Sequence, residues 1–137
     1  MSEKPFRILP DLDGLNRFFW TSGADGVLRF LRCEDCGYYN HPPTSHCPAC
    51  LSKRLSPSPV SGLATVHTFT VNHQPWIPGF DPPYVVAIVE FPEQQGLRLT
   101  TNIVNIAPGD VRVGMPVRVL FEQYDEVWLP LFEPAEV

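Results

Sequence analysis

The 137-residue sequence has no GxSxG elbow, no glycine-rich phosphate loop and no HExxH pair, so the usual local signatures of serine hydrolases, nucleotide sites and zinc peptidases are missing. Histidine is scarce, with four in the chain, and nothing in the spacing singles out a Ser/His/Asp set. No independent catalytic residue is therefore expected. Long apolar runs are lacking too: the longest, YVVAIV, falls far short of a membrane span. The start, MSEKPFRILPDLDG, carries no apolar stretch behind a basic one, and together these features predict a soluble, cytoplasmic protein. Basic charge is thin after residue 60, where three Lys+Arg face nine Asp+Glu, whereas residues 1–60 hold seven and six. A surface that follows phosphates needs the opposite balance.

Proline is what the chain has in excess. Its sixteen prolines leave little room for long helices and favour strands, turns and extended loops. Three parts can be read: a helical segment over 1–27, a cysteine-bearing unit with its linker over 28–60, and a strand-rich unit over 61–137. In the first, Asp11 and Asp13 are candidate caps for a short helix that places Leu12, Leu15 and Phe19 on one face and stops at Gly23. Phe18 and Trp20 then point elsewhere, so Phe18, Phe19 and Trp20 form a candidate partner-docking set, with packing on the rest of the chain as the alternative.

In the last part, GLATVHTFTV alternates, with His67, Phe69 and Val71 on one face and Val66, Thr68 and Thr70 on the other. YVVAIVEF, RLTTNIV, VRVLFEQY and VWLPLF follow, separated by turn-forming segments. Five short strands predict a mainly β protein with a C-terminal five-stranded OB-fold barrel. The insertion NHQPWIPGFDPP, residues 72–83, carries Trp76, Ile77 and Phe80. It is expected either to fold back over the barrel or to meet a ligand or partner.

All four cysteines lie in CEDCGYYNHPPTSHCPAC. Cys33-x-x-Cys36 and Cys47-x-x-Cys50 predict a four-cysteine zinc ribbon in which each knuckle turns two sulfurs inward. Gly37 suits the positive φ that such a knuckle wants, Leu51 holds the matching place in the second, and Pro48 fits inside it. Four thiolates fill a tetrahedral sphere, so the site is structural and supports a unit too small for a core of its own. The same ligands bind iron in rubredoxin, although there the spacer is much longer, and a thioredoxin-like CxxC would need a following helix. His41 and His46 read as surface residues, and SKRLSPSPVSG reads as the linker.

The order of parts, from RFFWTSGADGVLRFLRC through CPAC to TVHTFTV, PPYVVAIVEF, LRLTTNIV, VGMPVRVLFE and LPLFEPA, resembles over essentially the whole chain the zinc-ribbon and OB-fold proteins that accompany thiolase-like enzymes. Glu93-Gln94-Gln95-Gly96 is slightly stretched against that pattern, and Thr44-Ser45-His46 stands where an arginine is often found. The resemblance implies a non-catalytic subunit that binds a thiolase-like acyltransferase or aldolase and helps position coenzyme A thioesters. Arg17, Arg29, Arg32, Lys53 and Arg54 lie in the half that would face phosphates, and Arg29, Arg32, Lys53 and Arg54 are the candidate ligand-binding set. The alternative is a nucleic-acid-binding protein, since ribbons and OB barrels often serve that role, but the acidic second half opposes it.

Overall fold

The computed structural model describes residues 7–135. A five-residue helix, α1 (Arg17–Thr21), continues as a 3-10 turn (Ser22–Asp25) and leads into a small antiparallel sheet of β1 (Arg29–Cys33), β2 (Tyr39–Asn40) and β3 (Leu55–Pro59), ordered β2-β1-β3. Five strands follow: β4 (Leu63–Asn72), β5 (Tyr84–Glu90), β6 (Arg98–Ile103), β7 (Pro116–Tyr124) and β8 (Val127–Pro134). They close into a barrel in the order β4-β5-β6-β8-β7, with β6 and β8 parallel and the other neighbours antiparallel. This is the expected five-stranded OB barrel behind a ribbon and a short helix.

Alternation drives the barrel. Along β5 the side chains of Val85, Ala87 and Val89 are buried, and along β6 those of Leu99, Thr101 and Ile103. One core joins all parts, because Phe19 of α1 lies 6.0 Å from Phe30 of β1, Phe30 lies 4.9 Å from Phe91, and Phe91 lies 5.8 Å from Phe132 of β8. Each of these buried rings contributes about 2–3 kcal/mol through the apolar area it removes from water. A polar clamp reinforces the joint: the Gln94 side chain accepts from the Tyr39 N–H at 2.8 Å and donates to the Tyr39 carbonyl at 2.9 Å, as a neighbouring strand would.

Four local expectations change. The helix begins only at Arg17, because the Asp13 carboxylate takes the N–H groups of Leu15 and Asn16 in a preceding turn, leaving Leu15 exposed. It does not stop at Gly23, whose added Cβ would lie 2.3 Å from the Phe121 ring; the reversal comes at Gly26, with φ of 79°. The supposed linker contains strand β3, whose prolines are tolerated because it is an edge strand paired only with β1. In β4 the register shifts between Val66 and Thr68, so a bulge at His67 lets Val66 and the later Phe69 and Val71 all pack on the core, where strict alternation had put them on opposite faces.

Candidate metal centre and apolar groove

Strand β1 ends at Cys33 and the chain turns through Cys36; the second knuckle, Cys47 to Cys50, precedes β3. The two turns match. Gly37 N–H donates to the Cys33 carbonyl at 2.9 Å and Leu51 N–H to the Cys47 carbonyl at 2.8 Å, with φ of 80° at Gly37 and 67° at Leu51. Leu51 therefore adopts the left-handed conformation despite its Cβ. The Cys33 and Cys50 sulfurs lie 3.6 Å apart, those of Cys36 and Cys47 3.5 Å, and all four fall within 4.8 Å. A tetrahedron with metal–sulfur bonds of about 2.3 Å has edges of about 3.8 Å, so the donor set fits zinc closely.

The thiols also need a cation electrostatically. The Cys36 N–H points at the Cys33 sulfur and lowers that thiol to about 6, and Cys47 is lowered as well, where the N–H groups of Cys50 and Ala49 outweigh burial. Cys36 and Cys50 rise instead, Cys50 to about 12: the Tyr38 and Ser52 N–H groups favour their thiolates, but burial and the adjoining sulfurs outweigh them. Four thiolates this close cannot all ionise alone, and a divalent ion removes the conflict.

His41 is not a surface residue. Its ring lies 4.7 Å from Phe19 and 4.9 Å from Phe30, wedged where helix and ribbon meet, and its buried Nδ1 has no hydrogen-bond partner. Burial lowers it to about 4. His46 is exposed, as expected.

The candidate binding residues disperse. Phe19 is 2% exposed and belongs to the core, while Phe18 and Trp20 pack partly against it. Arg29 is bidentate on Asp25, at 2.7 and 3.1 Å; Arg32 lies over the Tyr39 ring at 4.6 Å and donates to the Gly37 carbonyl; Arg54 bonds Asp35 at 2.7 Å. Lys53 has no ion-pair partner among the described residues, and Arg17 pairs with Glu126 at 3.0 Å. Arg29 and Lys53 line separate hollows that share only Phe18 and Pro57.

A different feature escaped the sequence reading. Residues Arg7–Pro10 form a strap beside β5 and β6, and with Trp20, Ile77, Phe80 and Leu129 they wall an apolar groove of about 520 Å³. Arg7 anchors it: its side chain is 12% exposed, bonds Glu122 at 2.9 Å and Asn102 at 2.9 Å, and lies 4.7 Å over the Phe80 ring. Trp20 occupies the seam where β6 and β8 pair only through Ile103 and Phe132, a seam bridged further along by the Thr101 hydroxyl donating to the Pro130 carbonyl at 2.9 Å. The 72–83 loop folds back only in part, since Phe80 packs against Tyr84 with ring centroids 4.4 Å apart while Trp76 is left 72% exposed. Arg7, ahead of the predicted helix and without a motif, carried no signal for this arrangement.

Comparison with known proteins gives a consistent pattern. Residues 20–56 match the family model described as ChsH2, rubredoxin-like zinc ribbon domain, and residues 58–122 the one described as ChsH2, C-terminal OB-fold domain. The chain is 38% identical over 133 residues to a probable enoyl-CoA hydratase alpha subunit of Thermomonospora curvata, covering 96% of this chain and 41% of that protein. It thus spans about two fifths of that relative's length. A DUF35 domain-containing scaffold protein of Methanocaldococcus jannaschii is 37% identical, over 70% of this chain and 68% of its own. Among solved structures, a chain of the Ltp2-ChsH2(DUF35) aldolase superposes with a TM-score of 0.85 at 37% identity, covering 93% of this chain and all of that one.

Proposed function

The chain belongs to the ChsH2 and DUF35 family of zinc-ribbon and OB-fold proteins, and from that premise we propose that it is a non-catalytic accessory subunit of an acyl-CoA enzyme of the thiolase-like or aldolase kind. The observation that carries the reading is the sulfur cluster. Cys33, Cys36, Cys47 and Cys50 would hold the zinc, and because their four sulfurs already close on one another the metal is left no position for substrate or water. The zinc supplies cross-linking. Held there, it would tie the end of β1 to the knuckle that leads into β3, and so steady Phe30 of β1 and Val60, just past β3, in the common core.

The chain's own residues then act by presenting surface. The aromatic joint of Phe19, Phe30 and Phe91 and the Gln94 clamp hold helix, ribbon and barrel as one unit, so contacts made on one part orient the others. Positioning of a coenzyme A thioester is assigned to the assembled pair. Arg29, Arg32 and Arg54 are already engaged within the chain, and each would have to exchange its partner for a phosphate to contribute; Lys53 is the candidate free to do so. Of the aromatic helix residues, Trp20, which walls the apolar groove, supplies part of the docking surface.

Co-expression with a thiolase-like or aldolase chain tests the proposal. A complex that survives gel filtration at micromolar concentration is expected, and clean separation overturns it. Tight, salt-sensitive binding of an oligonucleotide at low salt would instead favour nucleic-acid recognition.

A further inference from the structure

Two of the most exposed large apolar side chains border the same groove. Ile8 lines it and is 73% exposed, and Trp76, 72% exposed, adjoins Ile77, which also lines it. Neither position is a loose end. The Trp76 ring nitrogen donates to Asn72 Oδ1 at 3.0 Å, which fixes the indole in one orientation with its face in water. Arg7, next to Ile8, is pinned by Glu122, Asn102 and the Phe80 ring. A tryptophan and an isoleucine held outward at an apolar groove forgo most of the hydrophobic gain of burial, whereas the same features are what an interface anchor requires: a large side chain whose ordering has been met before binding.

Resting on the functional reading above, we propose that the groove, together with a ridge formed by Ile8 on its wall and Trp76 next to the lining residue Ile77, is the seat of the partner enzyme subunit. The partner would present an apolar side chain to the groove from a basic surround. Charge decides that chemistry. Asp11 follows the strap and Asp81 follows Phe80, and neither has an ion-pair partner among the described residues. Among the described residues, the one basic side chain that lines the groove, Arg7, is neutralised by Glu122. The barrel half, with three basic against nine acidic residues, is acidic overall. An acidic rim around an apolar centre selects a basic, apolar counterpart and disfavours an anionic ligand.

This places the contact on the strap and the β4–β5 loop, with Trp20 as its wall, and not on Phe18 or the ribbon knuckles. The test measures affinity of the zinc-loaded chain for the co-expressed thiolase-like or aldolase subunit, with metal content and circular dichroism checked for every variant. Trp76→Ala is expected to weaken the complex about 30-fold, the size of an interface anchor, and Ile8→Ala severalfold. Asp11→Asn with Asp81→Asn should slow association and flatten its salt dependence. Leu51→Ala, at a 74% exposed knuckle residue, and Phe18→Ala should change affinity less than threefold. If the wild-type complex forms and Trp76→Ala and Ile8→Ala bind as tightly as wild type, the ridge is not the seat, although the accessory-subunit reading stands. If the wild-type chain forms no complex, both fall.

Discussion

Acidification should loosen the joint of helix, ribbon and barrel through one side chain, His41. Wedged between Phe19 and Phe30 with an unpartnered Nδ1, it is held neutral at about 4, against about 6.5 for a free imidazole, because burial penalises the charged form. The folded-state value is depressed, so between about pH 6.5 and 4 the unfolded chain takes up a proton that the folded chain refuses. The contribution is therefore complete above about pH 6.5, declines as pH falls, and is exhausted near 4. The gap between those two values corresponds to about 3 kcal/mol across that window. Urea unfolding of the zinc-loaded protein, followed at pH 7.5, 6.5, 5.5 and 4.5 beside His41→Phe, isolates the effect, since both proteins keep the same cysteines and carboxylates. The stability difference should move by about 3 kcal/mol in favour of the variant as pH falls. A difference that stays constant over the whole range would refute the reasoning.

Replacing Cys47 by serine should release the metal and melt the ribbon, removing on the order of 10 kcal/mol of binding that is coupled to folding; a colorimetric zinc assay and amide exchange over residues 29–59 report it. Gln94→Ala removes both bonds to the Tyr39 backbone and should cost about 2 kcal/mol in urea unfolding, with raised exchange at Tyr39. Gly23→Ala forces a Cβ into the Phe121 ring and should destabilise by about 1–3 kcal/mol in thermal melts, whereas Gly14→Ala, whose Cβ meets nothing within 4 Å, should be tolerated.

The barrel was legible because its strands are period-2 segments bounded by turn residues, a pattern set by the chemistry of the two faces. The ribbon was legible because two CxxC knuckles leave few geometries for four sulfurs. Strand β3 was hidden, since LSPSP contains the residues that usually mark loops; only its edge position, paired to β1 alone, makes it a strand. The bulge at His67 was hidden for a related reason: one extra residue changes the face of every later side chain without changing composition. Arg7 and His41 depend on tertiary neighbours far along the chain, Glu122 and Asn102 for one and Phe19 for the other, and no local pattern announces such contacts. Helix α1 was read as longer than it is because Asp13 suits a cap, while the carboxylate in fact closes the turn before it.

The measurement closest to the central claim is a reconstitution. The purified, zinc-loaded chain is titrated into its thiolase-like or aldolase partner, and turnover of an acyl-CoA substrate is recorded for each component and for the mixture. If the ribbon's metal only braces a scaffold, the chain alone gives no turnover, and the partner's activity changes and saturates once the two are present in fixed proportion. Conversion of the thioester by this chain alone would contradict the account.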